Sequence, residues 1–334
     1  MNSSFNPALP RCWLALLLLV LTTAAQASEP LPSWKPGASR DAIVSFVQAV
    51  TQAGSPDYIA PPERIAVFDN DGTLWSEQPM YFEVLFAFDE IKRLAPQHPQ
   101  WKQQQPYQAV LENDHAALAA TGLKGLMEIV GATHTGITSA EFHANAQRWL
   151  AQARHPKSGR PYTEMVFQPM LELLGYLREN GFKLFIVSGG EVAFMRAFAE
   201  EVYGIPPEQV IGTTFASRFQ NKDGALSIVR LASLAHNDDG PGKPESIEAI
   251  IGRRPVFAFG NSDGDLQMLQ WTMAGEGKRF AGLVHHTDSQ REWAYDRKSN
   301  IGHLDKALDQ ATSDKWVVVD MATEWSRVYP GNHD

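Results

Sequence analysis

The chain has 334 residues, 44% of them hydrophobic, a formal net charge of −9 and a single cysteine, Cys12. This composition excludes a largely disordered chain, a disulfide framework and a cysteine-based zinc ribbon. The acidic balance argues against a nucleic-acid partner, whose phosphates need a basic face, while the length allows one large α/β domain or two smaller ones.

Residues 13–21 read WLALLLLVL, and Ala25-Gln26-Ala27 follows with small residues at the −3 and −1 positions of a signal-peptidase site. This predicts a signal peptide over residues 1–27, with an uncleaved anchor as the alternative. The apolar run is short for a folded membrane span. Export, to the periplasm, without stable membrane insertion after cleavage is therefore expected. Cleavage would also leave a mature chain without cysteine. Residues 28–40, rich in Pro and Ser, predict a loose arm. Ile43, Phe46, Val47 and Val50 have helical spacing over 41–52. Residues 64–68 (RIAVF) form a short apolar run into Asp69, the pattern of a buried parallel strand ending at a loop. From 80 to about 153 the pattern is helical throughout. It includes a capping box at Thr138-Ser139-Ala140-Glu141 that places Phe142, Ala146, Trp149, Leu150 and Ala153 on one face.

Strand–helix alternation then begins. A helix is predicted over 169–180, stopped by Gly181, and a strand over 182–187 that ends at Ser188-Gly189-Gly190. A helix over 191–203 and a strand over 209–212 follow. Residues 214–230 read as a hairpin turning near Asn221-Lys222-Asp223-Gly224. A helix after Pro244, a strand over 255–259, a helix over 266–271 and a strand over 280–284 complete the series. Alternation of this kind predicts an α/β fold with a mostly parallel sheet covered on both faces, and ligands at the carboxyl ends of its strands.

Chemistry-bearing residues collect at those ends. Phe68-Asp69-Asn70-Asp71-Gly72-Thr73 follows a strand directly. One carboxylate can attack phosphorus while the second handles a proton, and both can help to hold a hard cation such as Mg²⁺; a metal-free Asp-Gly turn is the bland alternative. Val187-Ser188-Gly189-Gly190 offers a hydroxyl and glycine amides opening a helix, an anion cradle. Gly240-Pro241-Gly242-Lys243-Pro244 fixes a lysine that can neutralise phosphate charge. Phe259-Gly260-Asn261-Ser262-Asp263-Gly264-Asp265 adds carboxylates that can complete a cation shell. Each of these three alone is a common turn, a solvated lysine or a helix-starting acidic loop; together and in this order they point to phosphoryl chemistry.

The four clusters resemble motifs I to IV of the haloacid dehalogenase-like (HAD) superfamily of phosphohydrolases, over residues 64 to about 284. Order and spacing are most similar to phosphoserine-phosphatase-type members, including residues 203–210 (YGIPPEQV) ahead of the hairpin and Gly242-Lys243-Pro244. The resemblance implies a Rossmann-like three-layer parallel sheet with a helical cap inserted after the first motif strand. The core domain would be residues 28–76 and 164–334, and the cap residues 77–163. It implies Asp69 as the nucleophile forming an aspartyl-phosphate, and Asp71 as general acid then base, its backbone carbonyl on Mg²⁺. Thr73, Ser188, Gly189 and Lys243 would bind phosphate. The metal set would be Asp69, Asp71, Asn261 and Asp265. Aspartates at both 69 and 71 favour phosphoryl transfer over carbon–halogen cleavage, which needs no acid for an alcohol.

Two departures stand out. Many members have Gly-Asp where this chain has Gly260-Asn261. Phosphoserine-specific members carry a Glu nine positions after the nucleophile, where this chain has Gln78 beside Glu77. Phosphoserine is thus not the expected substrate. The expectation is an exported, Mg²⁺-dependent phosphatase of small phosphomonoesters. A pyrophosphatase or phosphotransferase on the same site, and a non-catalytic phosphate-ester binder permitted by Asn261, are the alternatives. Trp75, Tyr81, Phe82, Phe86 and Phe88 are expected to pack as core. His285 and His286 are expected on opposite faces of a strand, sharing no metal, and residues 288–298 (DSQREWAYDRK) as a solvated helix.

Overall fold

A computed structural model describes Met1 and residues 30–331. The expected signal peptide over 1–27 therefore lies, Met1 apart, outside the described residues. The strands are β1 (Ile65–Phe68), β2 (Lys183–Glu191), β3 (Val210–Lys222), β4 (Ala225–His236), β5 (Phe257–Gly260), β6 (Phe280–His285) and β7 (Val317–Asp320). They form a seven-stranded sheet in the order β4-β3-β2-β1-β5-β6-β7. All neighbours are parallel except β3 and β4. This is the expected α/β architecture, with β1 near the middle.

Strand β1 is apolar on both faces because both are covered. Ala66 and Phe68 join one core with Phe46, Leu173, Phe257 and Phe280. Ile65 and Val67 join a second with Phe185, Ala258, Leu269 and Leu283. A wholly buried side chain such as Phe68 contributes about 2 kcal/mol by leaving water. The helix Ala38–Thr51 adds Ile43, Phe46, Val47 and Val50 to the first core, as its spacing predicts.

Between β1 and β2 the chain contains helices only, among them Phe82–Leu94, Gly122–His134 and Ser139–Gln152. The last is opened by the Thr138–Glu141 capping box. Ala87, Ile91, Trp101, Val110 and Ile129 give this insertion a small core of its own. Its entry and exit run side by side: Ser76 N–H donates to the Met165 carbonyl and Phe167 N–H to that of Leu74, both at 2.9 Å. The β3–β4 hairpin turns at Asp223 and Gly224, whose φ angles of 53° and 86° suit a two-residue type I′ turn. Its body leans on the insertion, with Gly136 N–H donating to Arg230 and Arg230 N–H to Ile137 at 2.9 Å.

Four local expectations change and two elements are new. Residues 30–37 are docked: Ser33 donates twice to Glu172, and Trp34 is 2% exposed with its indole N–H on the Pro169 carbonyl. The tryptophan overrides the Pro-rich composition by finding an apolar seat against Trp325, ring centroids 5.8 Å apart. Strand β2 runs on through Gly189 and Gly190 to Glu191, because β3 continues to pair with it across a bulge. The glycine amides therefore do not open a helix. The helix expected over 191–203 is two short ones, Val192–Met195 and Ala199–Tyr203. Residues 288–298 form turns, not a helix, with Glu292 buried. Finally, β7 and the preceding helix Lys306–Asp314 had no sequence expectation. Among the described residues no helix is long and apolar enough to cross a membrane.

Candidate active site

The carboxyl ends of β1, β2 and β5 open into one cleft of about 410 Å³. Asp69, Asp71, Glu77, Ser188, Gly189, Lys243 and Ser262 line its polar end. Val84, Leu126, Met127, Val130, Phe215 and Leu234, from the insertion and the hairpin, line the other. A second cleft, of about 390 Å³, lies at the opposite strand ends. Two of its cations, Arg253 and Lys278, face Glu63 and Asp57. It contains none of the expected residues.

The loop after β1 is built to hold its two aspartates. Asp69 N–H donates to the Phe259 carbonyl of β5 at 3.0 Å, which continues the sheet into the loop. The Asn70 carbonyl then accepts from Thr73, Leu74 and Trp75. Gly72 has φ +77°, and a β-carbon there would collide with Asn261 and Glu77. The Gly72 carbonyl is anchored in turn by His286 Nε2 at 2.7 Å.

Lys243 is 2% exposed, and its ammonium donates to Asp69 Oδ1 at 2.6 Å, Asp265 Oδ1 at 2.6 Å and the Val187 carbonyl at 3.0 Å. Burial alone would depress this lysine, but Asp265 and Asp69 more than reverse that and hold it above its ordinary value. Asp69 is pushed up to about 8 by burial, with Asp265 adding to the rise and Lys243 opposing it. Asp71 is pushed up to about 6, chiefly by burial. The Trp75 indole N–H fixes its Oδ1 at 2.8 Å. Trp75 is thus more than the core residue expected, although it also packs on Phe82 and Phe198. A carboxyl poised near 6 can both give and take a proton near neutrality.

Two expected roles are corrected. Thr73 is fully buried and donates its hydroxyl to Asn261 Oδ1 at 3.0 Å, so it positions Asn261 and does not line the cleft. Asp265 has both oxygens engaged, Oδ1 by Lys243 and Oδ2 by the backbone N–H groups of Asn261 and Ser262. It holds the lysine and the β5 loop from behind, with no free edge for a metal. Ser188 and Gly189 do face the cleft. His285 and His286 diverge as expected, to Asp296 and Gly72 respectively.

Sequence reasoning missed Glu77, Tyr295 and His286 as parts of this site. Glu77 is 2% exposed and accepts from Asn261 Nδ2 at 2.7 Å and the Tyr295 hydroxyl at 2.8 Å. Tyr295 stacks on His286, ring centroids 4.3 Å apart. The one signal was the acid beside Gln78, noted for its place in a motif and not for its contacts.

Among the described residues, no group of three or more His, Cys, Asp or Glu side chains is arranged to hold a metal by itself. Mg²⁺ does not require one, because it keeps several waters and takes one or two carboxylates plus substrate oxygens. The donors here are hard oxygens: the ammonium of Lys243 meets Asp69 and Asp265, while among the described residues buried Glu77 pairs with no cation. That excess of buried carboxyl groups, with Asp69 and Glu77 pushed up chiefly by burial, fits a cation that would ionise them.

Residues 66–270 match the family model for haloacid dehalogenase-like hydrolases. Among solved structures, a conserved functionally unknown protein from Anaerococcus prevotii DSM 20548 is similar at 16% identity and TM-score 0.46, over 82% of this chain and 88% of that one. A protein of unknown function from Bordetella pertussis Tohama I is similar at 14% identity and TM-score 0.49, over 78% and 99%. A phosphoserine phosphohydrolase-like protein from Francisella tularensis subsp. tularensis SCHU S4 is similar at 16% identity and TM-score 0.37, over 66% and 87%. No curated protein matches the sequence.

Proposed function

The chain belongs to the haloacid dehalogenase-like hydrolase family, and from that premise we propose that it is an exported, Mg²⁺-dependent phosphatase of small phosphomonoesters. One observation carries the reading: Asp69, held by Lys243, and Asp71, held by Trp75, face the same cleft as Ser188 and the Gly189 backbone. Asp69 attacks phosphorus through Oδ2, the oxygen that Lys243 leaves free. The phosphorus–oxygen bond to the alcohol breaks, and protonated Asp71 gives its proton to the departing oxygen. Asp71, now ionised, takes a proton from water, whose oxygen displaces Asp69 and releases phosphate. Ser188 and the Gly189 amide hold phosphoryl oxygens, and Lys243 offsets their charge. Asp69 and the Asp71 carbonyl would hold Mg²⁺, which when bound supplies Lewis-acid stabilisation of the phosphoryl group; Asn261, expected as a ligand, has both polar atoms engaged by Thr73 and Glu77. Residues 77–163 act as the cap over this site.

The cleft beyond the phosphate end favours an apolar alcohol. Its wall is Val84, Leu126, Met127, Val130, Phe215 and Leu234, and its charged side chains beyond Lys243 are acids, Glu83 and Asp239 among them. A second phosphate or a carboxylate on the substrate finds no cation there. The test is a panel of aryl, alkyl and sugar phosphates with Mg²⁺. Phosphate release is expected with Mg²⁺, fastest on aryl or alkyl esters, and abolished by Asp69→Asn. Wild-type turnover by that variant, or turnover in excess chelator, overturns the mechanism.

A further inference from the structure

Asn261 leaves a gap in the charge of the site. It occupies the position after Gly260 at the end of β5, the strand beside β1, yet it is an uncharged amide. Both of its polar atoms are engaged. Oδ1 accepts from Thr73 at 3.0 Å and Nδ2 donates to Glu77 Oε1 at 2.7 Å. A carboxylate can only accept here, so the contact with Glu77 fixes which way the amide faces.

Glu77 has the complementary properties. It enters from the loop after β1, is 2% exposed, and lines the same cleft as Asp69 and Asp71. Both donors that reach it, Asn261 and Tyr295, bind Oε1. Among the described residues no donor reaches Oε2, and no lysine, arginine or histidine pairs with the carboxylate. The ammonium of Lys243 is occupied by Asp69, Asp265 and the Val187 carbonyl. An ionised carboxylate in so buried a place is costly unless a cation meets it. The backbone is also shaped around this side chain, since a β-carbon on Gly72 or on Gly302 would strike Glu77.

We infer that Glu77 supplies the carboxylate that Asn261 lacks. The acid and the amide have exchanged places across a single hydrogen bond, and Glu77 Oε2 is the second anionic oxygen for the divalent cation. Asn261 then acts as a positioning residue, turning Glu77 Oε1 away so that Oε2 faces Asp69. This inference rests on the proposed cation site.

The experiment compares wild type, Glu77→Gln, Asn261→Asp and the double exchange Glu77→Gln/Asn261→Asp. Mg²⁺ affinity is read by titration calorimetry with MgCl₂, and Mg²⁺-induced stabilisation by thermal melts; neither readout depends on turnover. Wild type is expected to bind Mg²⁺ and melt higher in its presence. Glu77→Gln is expected to lose at least ~10-fold in affinity together with most of the thermal gain. The double exchange restores both, because the amide introduced at position 77 can donate to the carboxylate introduced at position 261, the reverse of the wild-type contact. Glu77→Gln binding Mg²⁺ as wild type does, or a folded double exchange without recovery, overturns the role of Glu77. Absence of Mg²⁺ binding by wild type overturns the cation site itself, and so separates the two failures. If Glu77→Gln does not fold, Asn261→Asp decides alone: a gain of ~10-fold or more supports exchange of charge between the two positions, and no gain refutes it.

Discussion

Two buried ionic clusters lie within this molecule and are arranged in opposite senses. The first, at the ends of β1 and β5, sets Asp69 and Asp265 on Lys243 and leaves buried Glu77 with no cation among the described residues. The second joins the insertion to the sheet. Arg230 of β4 faces Glu191 of β2 at 3.1 Å, Glu83 faces His134 at 3.3 Å, and Glu83 also accepts from Glu191 N–H at 2.8 Å. Here Arg230 meets Glu191 and the His134 ring meets Glu83, and Arg230 is further sandwiched, 4.1 Å from the Phe142 ring centre, with Nε on the His134 carbonyl at 2.6 Å. The matched cluster fastens elements together. The unmatched one keeps open oxygens toward a cleft. Charge balance, more than burial, separates a structural ion network from a reactive one.

Removing a member of the matched cluster should have the largest effect on stability. Arg230→Ala leaves Glu191 buried without its partner and should cost about 3–5 kcal/mol in denaturant unfolding. A loss under about 1 kcal/mol would show that the cluster does not fasten the hairpin to the sheet. The unmatched cluster should respond to pH. Burial raises Asp71 to about 6 and Asp69 to about 8, above the ordinary value near 3.9 expected on unfolding. The folded state therefore holds more protons than the unfolded chain between about pH 4 and 8. Stability is present at the lower end and is lost as pH rises through these values. In chelator, the melting temperature should fall from about pH 5.5 to 8.5, and Mg²⁺ should flatten the slope. A flat profile in chelator would remove the distinction between the clusters. The smallest effect belongs to a position outside both. Thr138→Ala removes a helix cap, should cost about 1 kcal/mol, and should leave turnover of the folded protein unchanged.

The contrast also marks what a sequence reveals. Asp69, Asp71, Ser188 and Lys243 were legible because each sits in a short contiguous pattern at a strand or helix edge. The mostly parallel α/β sheet was legible because apolar runs such as 64–68 alternate with helical spacing. Glu77 was not, since its meaning lies in Asn261, 184 positions away, and in Tyr295. Tyr295 lies in a charged stretch that composition assigns to solvent, and its stack on His286 and its hydrogen bond to Glu77 are what draw it inward. The matched cluster draws Glu83, His134, Glu191 and Arg230 from four separate elements with no common spacing. Trp34 was hidden by the prolines around it, because composition describes an isolated segment and not the apolar seat that Trp325 offers.

The paired backbone at residues 74–76 and 165–167 has one more consequence. Both ends of the helical insertion leave the sheet as neighbouring strands of chain, so its boundaries lie within a single hydrogen-bonded step. A module joined in this way is exchangeable. Another folded segment with closely spaced termini could be spliced between Gln78 and Met165, leaving Glu77 in place, without altering the register of β1 against β2 or β5. The same catalytic floor could then be offered to a different set of leaving groups, so the junction is a natural cut point for recombining chemistry with selectivity.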